Sequence, residues 1–106
     1  MKKENYYEKV FFVTKNIPYG RVTNYGAIAG CLGLGSARMV GWALNHCAMF
    51  GGDVPAHRVV NRKGELSGRN AFPTPTTMQE LLENEGIIVE NDKVKNFEKI
   101  FWQPDI

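Results

Sequence analysis

The stretch "TNYGAIAGCLGLGSARMVGWALNHC", residues 23–47, constrains the fold most. Two apolar stripes at helical spacing flank "GLGS". Tyr25, Ile28, Ala29 and Leu32 make the first; Val40, Ala43, Leu44 and Cys47 make the second. Thr23 is placed to cap the first helix and Ser36 the second. Two short helices joined by a tight connector read as a helix-turn-helix.

The flanks supply the rest of one modest core, as expected of 106 residues. Tyr6, Val10, Val13 and Ile17 predict a leading helix that ends at "PYG". After the helix pair, "FGGD" breaks the pattern. "HRVVNRKGELSG" reads as a short hairpin, with Gly64 free to take a positive φ. Thr74-Pro75 opens a further helix carrying Met78, Leu81 and Leu82, and Gly86 closes it. The tail predicts short extended pieces and an aromatic clamp of Phe97, Phe101 and Trp102. The expectation is a single domain, 1–106, mainly α with a short β hairpin, of winged-helix or helix-turn-helix type.

Charge is uneven along the chain. Residues 9–79 hold eight Lys/Arg against two acids, and residues 80–106 hold seven acids against three lysines. A basic body with an acidic tail suggests a polyanion partner on one face, the alternative being an unevenly charged solvated surface. No apolar run approaches the roughly 18 residues needed to span a bilayer. The N-terminus "MKKENYYEK" lacks the apolar core of a secretory signal. The expected location is therefore cytoplasmic, at the nucleoid if the source is bacterial, with no membrane partner. Cys31 and Cys47 lack metal-type spacing and read as buried thiols. No cofactor or metal is expected.

If the third helix buries its stripe, Arg38, Gly41, Trp42 and Asn45 face outward at spacing 0, 3, 4, 7. Glycine inside a helix costs about 1 kcal/mol relative to alanine. Close approach of another body is one compensation; a neighbouring helix of the same chain is the other. The N-terminus of that helix, at Ser36, offers backbone donors to a phosphate. Glu85 falls on the apolar stripe of the following helix, where a carboxylate needs a partner. His57, itself in an apolar segment, is the candidate. Such a pair would activate a nucleophile in an enzyme, but the residue before His57 is Ala56, which has no lone pair.

These residues carry a resemblance. "PAHRVV", residues 55–60, resembles the "PCHRVV" active-site segment of O6-alkylguanine-DNA alkyltransferases. "TNYGAIAG", "SARMVGWAL", the Gly64 turn and "LLENEG" follow the same family pattern over roughly residues 6–90. The resemblance implies the fold of that family's C-terminal DNA-binding domain, with "SARMVGWAL" as the helix that enters the minor groove. It implies that Arg38 fills the gap left by an everted nucleotide and that Tyr25 crowds that nucleotide's phosphate, its ring buried and its hydroxyl at the surface. It makes His57 and Glu85 the remnant of a cysteine-activating pair. Arg58 is expected to be structural, hydrogen-bonding loop carbonyls.

Ala56 stands where the family transfers the alkyl group, so that chemistry is excluded at this position. The chain is more similar to the alkyltransferase-like subgroup, in which Arg69 corresponds to an arginine near the lesion pocket. Tyr25, Val54, Pro55, Ala56 and Arg69 are the expected pocket. Ser36, Tyr25, Arg38, Gly41 and Trp42 are the expected DNA contacts. The stretch from Asn45 to Val54 is longer than the family pattern by about one residue, so no contact is carried onto Asn45. The implied partner is double-stranded DNA containing O6-alkylguanine, with nucleotide excision repair proteins downstream. Two other readings stand beside this one: an active alkyltransferase using Cys47 or Cys31, and a sequence-specific winged-helix regulator. Against the first, a thiol on an apolar stripe is a poor nucleophile. Against the second, the third helix is poor in Asn, Gln and Arg for reading base edges.

Overall fold

The computed structural model describes residues 3–47 and 53–105. Helix α1, Lys3–Lys15, buries Val10, Phe11 and Val13, and Ile17 just past its end extends the same stripe. Helices α2, Tyr25–Leu32, and α3, Ala37–Asn45, follow with a 105° turn between them. That angle is the one a helix-turn-helix adopts. Gly33 makes the turn possible. It sits in the left-handed region at φ 69°, and Leu34 N–H then donates back to Ala29 O at 2.9 Å, closing the helix end as a Schellman motif does.

Thr23 does not cap α2. It lies in strand β1, Thr23–Asn24, with its side chain buried. Successive strand residues point to opposite faces, so the next residue reaches the helix end: Asn24 Oδ1 accepts from Ala27 N–H at 2.7 Å. Ser36 does occupy the N-cap of α3 with extended backbone, but its hydroxyl makes no cap bond.

The strand read at residues 59–60 forms, but not as half of a hairpin. Strand β2, Val59–Val60, pairs in parallel with β1, Thr23 opposite Val59 and Asn24 opposite Val60. Both valines are fully buried, so this strand needs a partner inside the protein. Val59 packs with α1, α2 and α3; Val60 packs into a second cluster with Val22, Leu66, Met78 and Leu82. The two-residue strand is thus the wall between two apolar clusters. The Gly64 turn is as expected, at φ 84°, with Gly64 N–H donating to Asn61 O at 2.9 Å.

The short hairpin lies later. Strands β3, Val89–Glu90, and β4, Lys93–Val94, pair antiparallel around Asn91 and Asp92, both at positive φ, the geometry a two-residue hairpin turn prefers. Helix α4, Thr77–Asn84, starts three residues after Thr74, because Thr74 is engaged with the Thr77 hydroxyl at 2.7 Å in a lead-in turn. Gly86, φ 84°, closes it. Helix α5, Phe97–Ile100, ends the fold. Phe97 and Phe101 meet edge to face at 5.6 Å. Trp102 leaves that clamp: its N–H donates to Val22 O at 2.7 Å, and its ring packs on the α1–α3 cluster. The break read at "FGGD" and the extra residue after Asn45 involve residues 48–52, outside the described residues.

Candidate nucleic-acid interface and adjoining cavity

Helix α1 holds α3 from behind. Tyr6 Oη donates to Met39 O at 3.0 Å, and Tyr7 stacks on His46 at 5.6 Å. With Val40, Ala43 and Leu44 buried, α3 turns Arg38, Trp42 and Asn45 outward. Trp42 is half exposed, a large apolar group with little cover. Gly41 lies between the two faces. A Cβ built on it has no described neighbour within 4 Å. No described helix therefore requires that glycine, and of the two compensations open from the sequence, the internal one has no neighbour among the described residues.

Beside this face opens a cavity of about 480 Å³, within the range that holds a small organic ligand. Tyr25 from α2, Gly41 and Leu44 from α3, and the segment Val54, Pro55, Ala56 and His57 line it, and Gly68, Ala71 and Phe72 close the far side. Ala56 opens the short 3-10 turn Ala56–Arg58 and presents only a methyl group. Tyr25 packs its ring against the first cluster. Burial raises its phenol pKa, and a hydrogen bond with Ser67 opposes that rise only partly. A Cβ on Gly68 would come within 2.6 Å of Tyr25 Oη, so Gly68 makes the room in which that hydroxyl sits. A second, smaller cavity of about 320 Å³ shares Asn45, Gly68 and Ala71 with the first and adds Ser67 and Asn70.

Behind the cavity lies the polar cluster anticipated from Glu85. His57 Nε2 donates to Glu85 Oε2 at 2.7 Å. Arg58 joins it: Nε and Nη2 donate to Glu85 Oε2 at 3.0 and 2.9 Å, and Nη1 donates to Ile17 O at 2.8 Å. Gly20 N–H donates to Glu85 Oε1 at 2.8 Å. The Glu85 side chain is only 6% exposed. Burial pushes its carboxyl up, but the bonds from Arg58, His57 and Gly20 together outweigh it and hold the pKa below the ordinary carboxylate value. Arg58 was expected to bond loop carbonyls. It bonds one, and its main partner is Glu85, a contact that charge pairing of His57 with Glu85 had left unassigned. The guanidinium also lies over the Tyr19 ring at 5.8 Å.

Arg69 stands at the start of a 3-10 turn, Arg69–Ala71, next to the lining residues Gly68 and Ala71. Its guanidinium reaches Asp92 at 3.3 Å, with both side chains solvent-accessible. Gly68, Phe72 and Leu81, all lining residues, were not picked from the sequence. The signal for Leu81 was present, since it lies on the edge of the α4 stripe; Gly68 carried none beyond its place in a turn. Among the described residues no group of His, Cys, Asp and Glu is arranged to hold a metal, and no helix is long and apolar enough to cross a membrane.

The helix pair, with the open face of its second helix, defines a DNA-binding domain of helix-turn-helix type. A model of the 6-O-methylguanine DNA methyltransferase DNA-binding domain matches residues 5–87. The chain is 34% identical to alkyltransferase-like protein 1 of Schizosaccharomyces pombe, over 98% of this chain and the whole of that protein. It is 37% identical to a DNA base-flipping protein of Vibrio parahaemolyticus, over 91% of this chain and 94% of that one. Its structure is similar to that of S. pombe Atl1 in complex with damaged DNA containing O6-carboxymethylguanine, with a TM-score of 0.85 over 98% of this chain and all of the other at 34% identity. The chain belongs to the O6-alkylguanine-DNA alkyltransferase family, in its alkyltransferase-like branch.

Proposed function

We propose that this protein recognises O6-alkylguanine in duplex DNA without removing the alkyl group. The observation that carries the reading is a base-sized cavity beside the open face of α3 in which the nucleophile's position is the methyl of Ala56. Lys and Arg of the basic body neutralise phosphates and supply affinity that does not depend on sequence. The face of α3 enters the minor groove, with Gly41 allowing close approach and the N-terminus of α3 at Ser36 facing a phosphate. The minor groove distinguishes base pairs poorly, so discrimination rests on the everted base. Eversion costs a few kcal/mol, least for a base that pairs badly, and an O6-alkyl group removes a pairing proton from guanine. Arg38 replaces the lost stacking, Tyr25 crowds the backbone of the everted nucleotide, and the cavity takes the base. Arg69, beside the lining, swings from Asp92 to the lesion.

The whole chain, 1–106, acts as one domain. It works where the DNA is, in the cytoplasm, at the nucleoid of a bacterium. Because no bond forms, the lesion persists and has to be removed by other proteins. Nucleotide excision repair suits a bent duplex with an everted base.

The test is binding to duplexes that differ only by O6-methylguanine against guanine, with Arg38→Ala and Tyr25→Phe alongside and intact-protein mass recorded. The wild type is expected to prefer the methylated duplex, Arg38→Ala to lose most of that preference, and no mass gain to appear. Equal binding of both duplexes would overturn the reading. A stable added alkyl mass on a cysteine would make the protein an enzyme instead.

A further inference from the structure

We propose that His57 selects among O6-alkyl lesions for those whose substituent ends in a hydroxyl group. The inference rests on the lesion-binding reading above and adds the chemistry of the substituent. His57 lines the cavity, and its ring has two nitrogens with different fates. Nε2 is committed to the Glu85 carboxylate at 2.7 Å. An ionised carboxylate only accepts, so Nε2 carries a proton towards it and Nδ1 is the ring nitrogen left to pair with a ligand. Among the described residues Nδ1 has no hydrogen-bond partner in the protein. The other side of the carboxylate is taken by Arg58 and Gly20, so the ring is held in place and cannot turn to exchange its nitrogens without breaking that bond.

Ala56, the adjacent residue, offers nothing polar to the cavity. A substituent that passes the Ala56 methyl comes to His57, the next residue of the lining, whose Nδ1 is the ring nitrogen not engaged by Glu85. An apolar chain leaves that nitrogen desolvated and unpaired, which is unfavourable. A chain of equal length ending in a hydroxyl, which can both donate and accept, can pair with it. The other described polar side chains lining the cavity belong to Asn45, Cys47, Asp53 and Tyr25, and none of them adjoins Ala56 in the chain as His57 does. The Asp53 carboxylate is exposed and bridged to Lys15 at 3.5 Å, and the Tyr25 hydroxyl lies at Gly68. The preferred ligand class is therefore O6-(hydroxyalkyl)guanine, over O6-alkylguanine of the same size.

The test compares duplexes carrying O6-(2-hydroxyethyl)guanine, O6-propylguanine, O6-methylguanine and guanine, by competition at neutral pH. One neutral hydrogen bond gives the hydroxyethyl duplex about a fivefold advantage over the propyl duplex. His57→Gln places an amide where Nε2 stood, so it can keep Glu85 engaged, and it has no atom at Nδ1. It should bring the hydroxyethyl-to-propyl ratio to about one, whatever it does to the affinity for both duplexes. His57→Phe removes both nitrogens and should give the same ratio even if it is less stable. A ratio near one in the wild type, or a fivefold ratio surviving in both variants, overturns the proposal with the lesion reading intact. Loss of methylguanine discrimination in the wild type overturns the lesion reading, and this proposal with it.

Discussion

Gly41→Ala should make the free protein more stable and the DNA complex weaker. A methyl group at this position meets no described atom within 4 Å, so it adds no clash in the free protein. Alanine exceeds glycine in the interior of a helix by about 0.8–1.0 kcal/mol. For a domain of this size each kcal/mol moves the thermal midpoint by about 4–8 °C, so a rise of about 4 °C is expected by circular dichroism. Against a groove wall the same methyl overpacks a close contact, at a cost of about 1–3 kcal/mol. That is at least a fivefold loss of affinity for an O6-methylguanine duplex, read by fluorescence anisotropy. Gly30→Ala is the internal control. Gly30 also lies inside a helix with nothing within 4 Å, but on α2. It should gain the same stability and bind DNA as before. A lower midpoint for Gly41→Ala would show that a neighbour does fill that space. Unchanged affinity would show that α3 does not approach the DNA through this residue.

Two further outcomes follow from the cavity wall and the cluster behind it. Gly68→Ala places a methyl 2.6 Å from Tyr25 Oη; the rigid ring, packed on the first cluster, has to shift as a whole, so the thermal midpoint should fall and lesion discrimination should drop several-fold in the duplex comparison, and normal discrimination would show that the position of Tyr25 is not read. Glu85→Gln removes the charge that holds Arg58 and His57, both mostly buried, and should cost about 3 kcal/mol at pH 7 in urea unfolding. The Glu85 pKa is lowered in the fold, so its contribution is complete above the unfolded value of about 4.3 and is lost as pH falls through the lower folded value. The gap between wild type and variant should therefore narrow towards pH 3; a gap that stays constant would remove the charge argument.

The helix pair and its two faces were legible because burial follows helical periodicity over nine residues of α3: Val40, Ala43 and Leu44 went in, and Arg38, Trp42 and Asn45 stayed out. The partner of Val59–Val60 was not legible. A two-residue strand carries no register, and a parallel partner 36 residues earlier in the chain leaves no local mark, whereas the neighbouring Gly64 turn does. The cap was misplaced by one residue for the same reason, since Thr23 is drawn inward by a pairing that only the tertiary fold reveals. In the site, Ala56, His57 and Glu85 were visible through the resemblance and the cost of a carboxylate on an apolar stripe. Gly68 was not, because its role is defined by the tip of a side chain 43 residues away.

The loss of a nucleophile did not dissolve the polar cluster behind it, and the geometry says why. Glu85 sits at the C-terminal end of α4, Gly20 and Ile17 in the bend after α1, and His57 and Arg58 in the turn that leads into β2. The bonds among them tie these three segments together across the seam between the two apolar clusters. Only one of those bonds, His57 to Glu85, has a use in activating a thiol. The others hold the segment that carries Ala56 at a fixed position relative to α4 and the α1 bend. Replacing a cysteine by alanine at residue 56 removes the reaction and leaves every one of those bonds intact. Removing Glu85 instead would strand Arg58 without its carboxylate. The cluster therefore has a structural reason to persist beside an alanine, and a wall that stays rigid is what a cavity needs if it is to discriminate by shape.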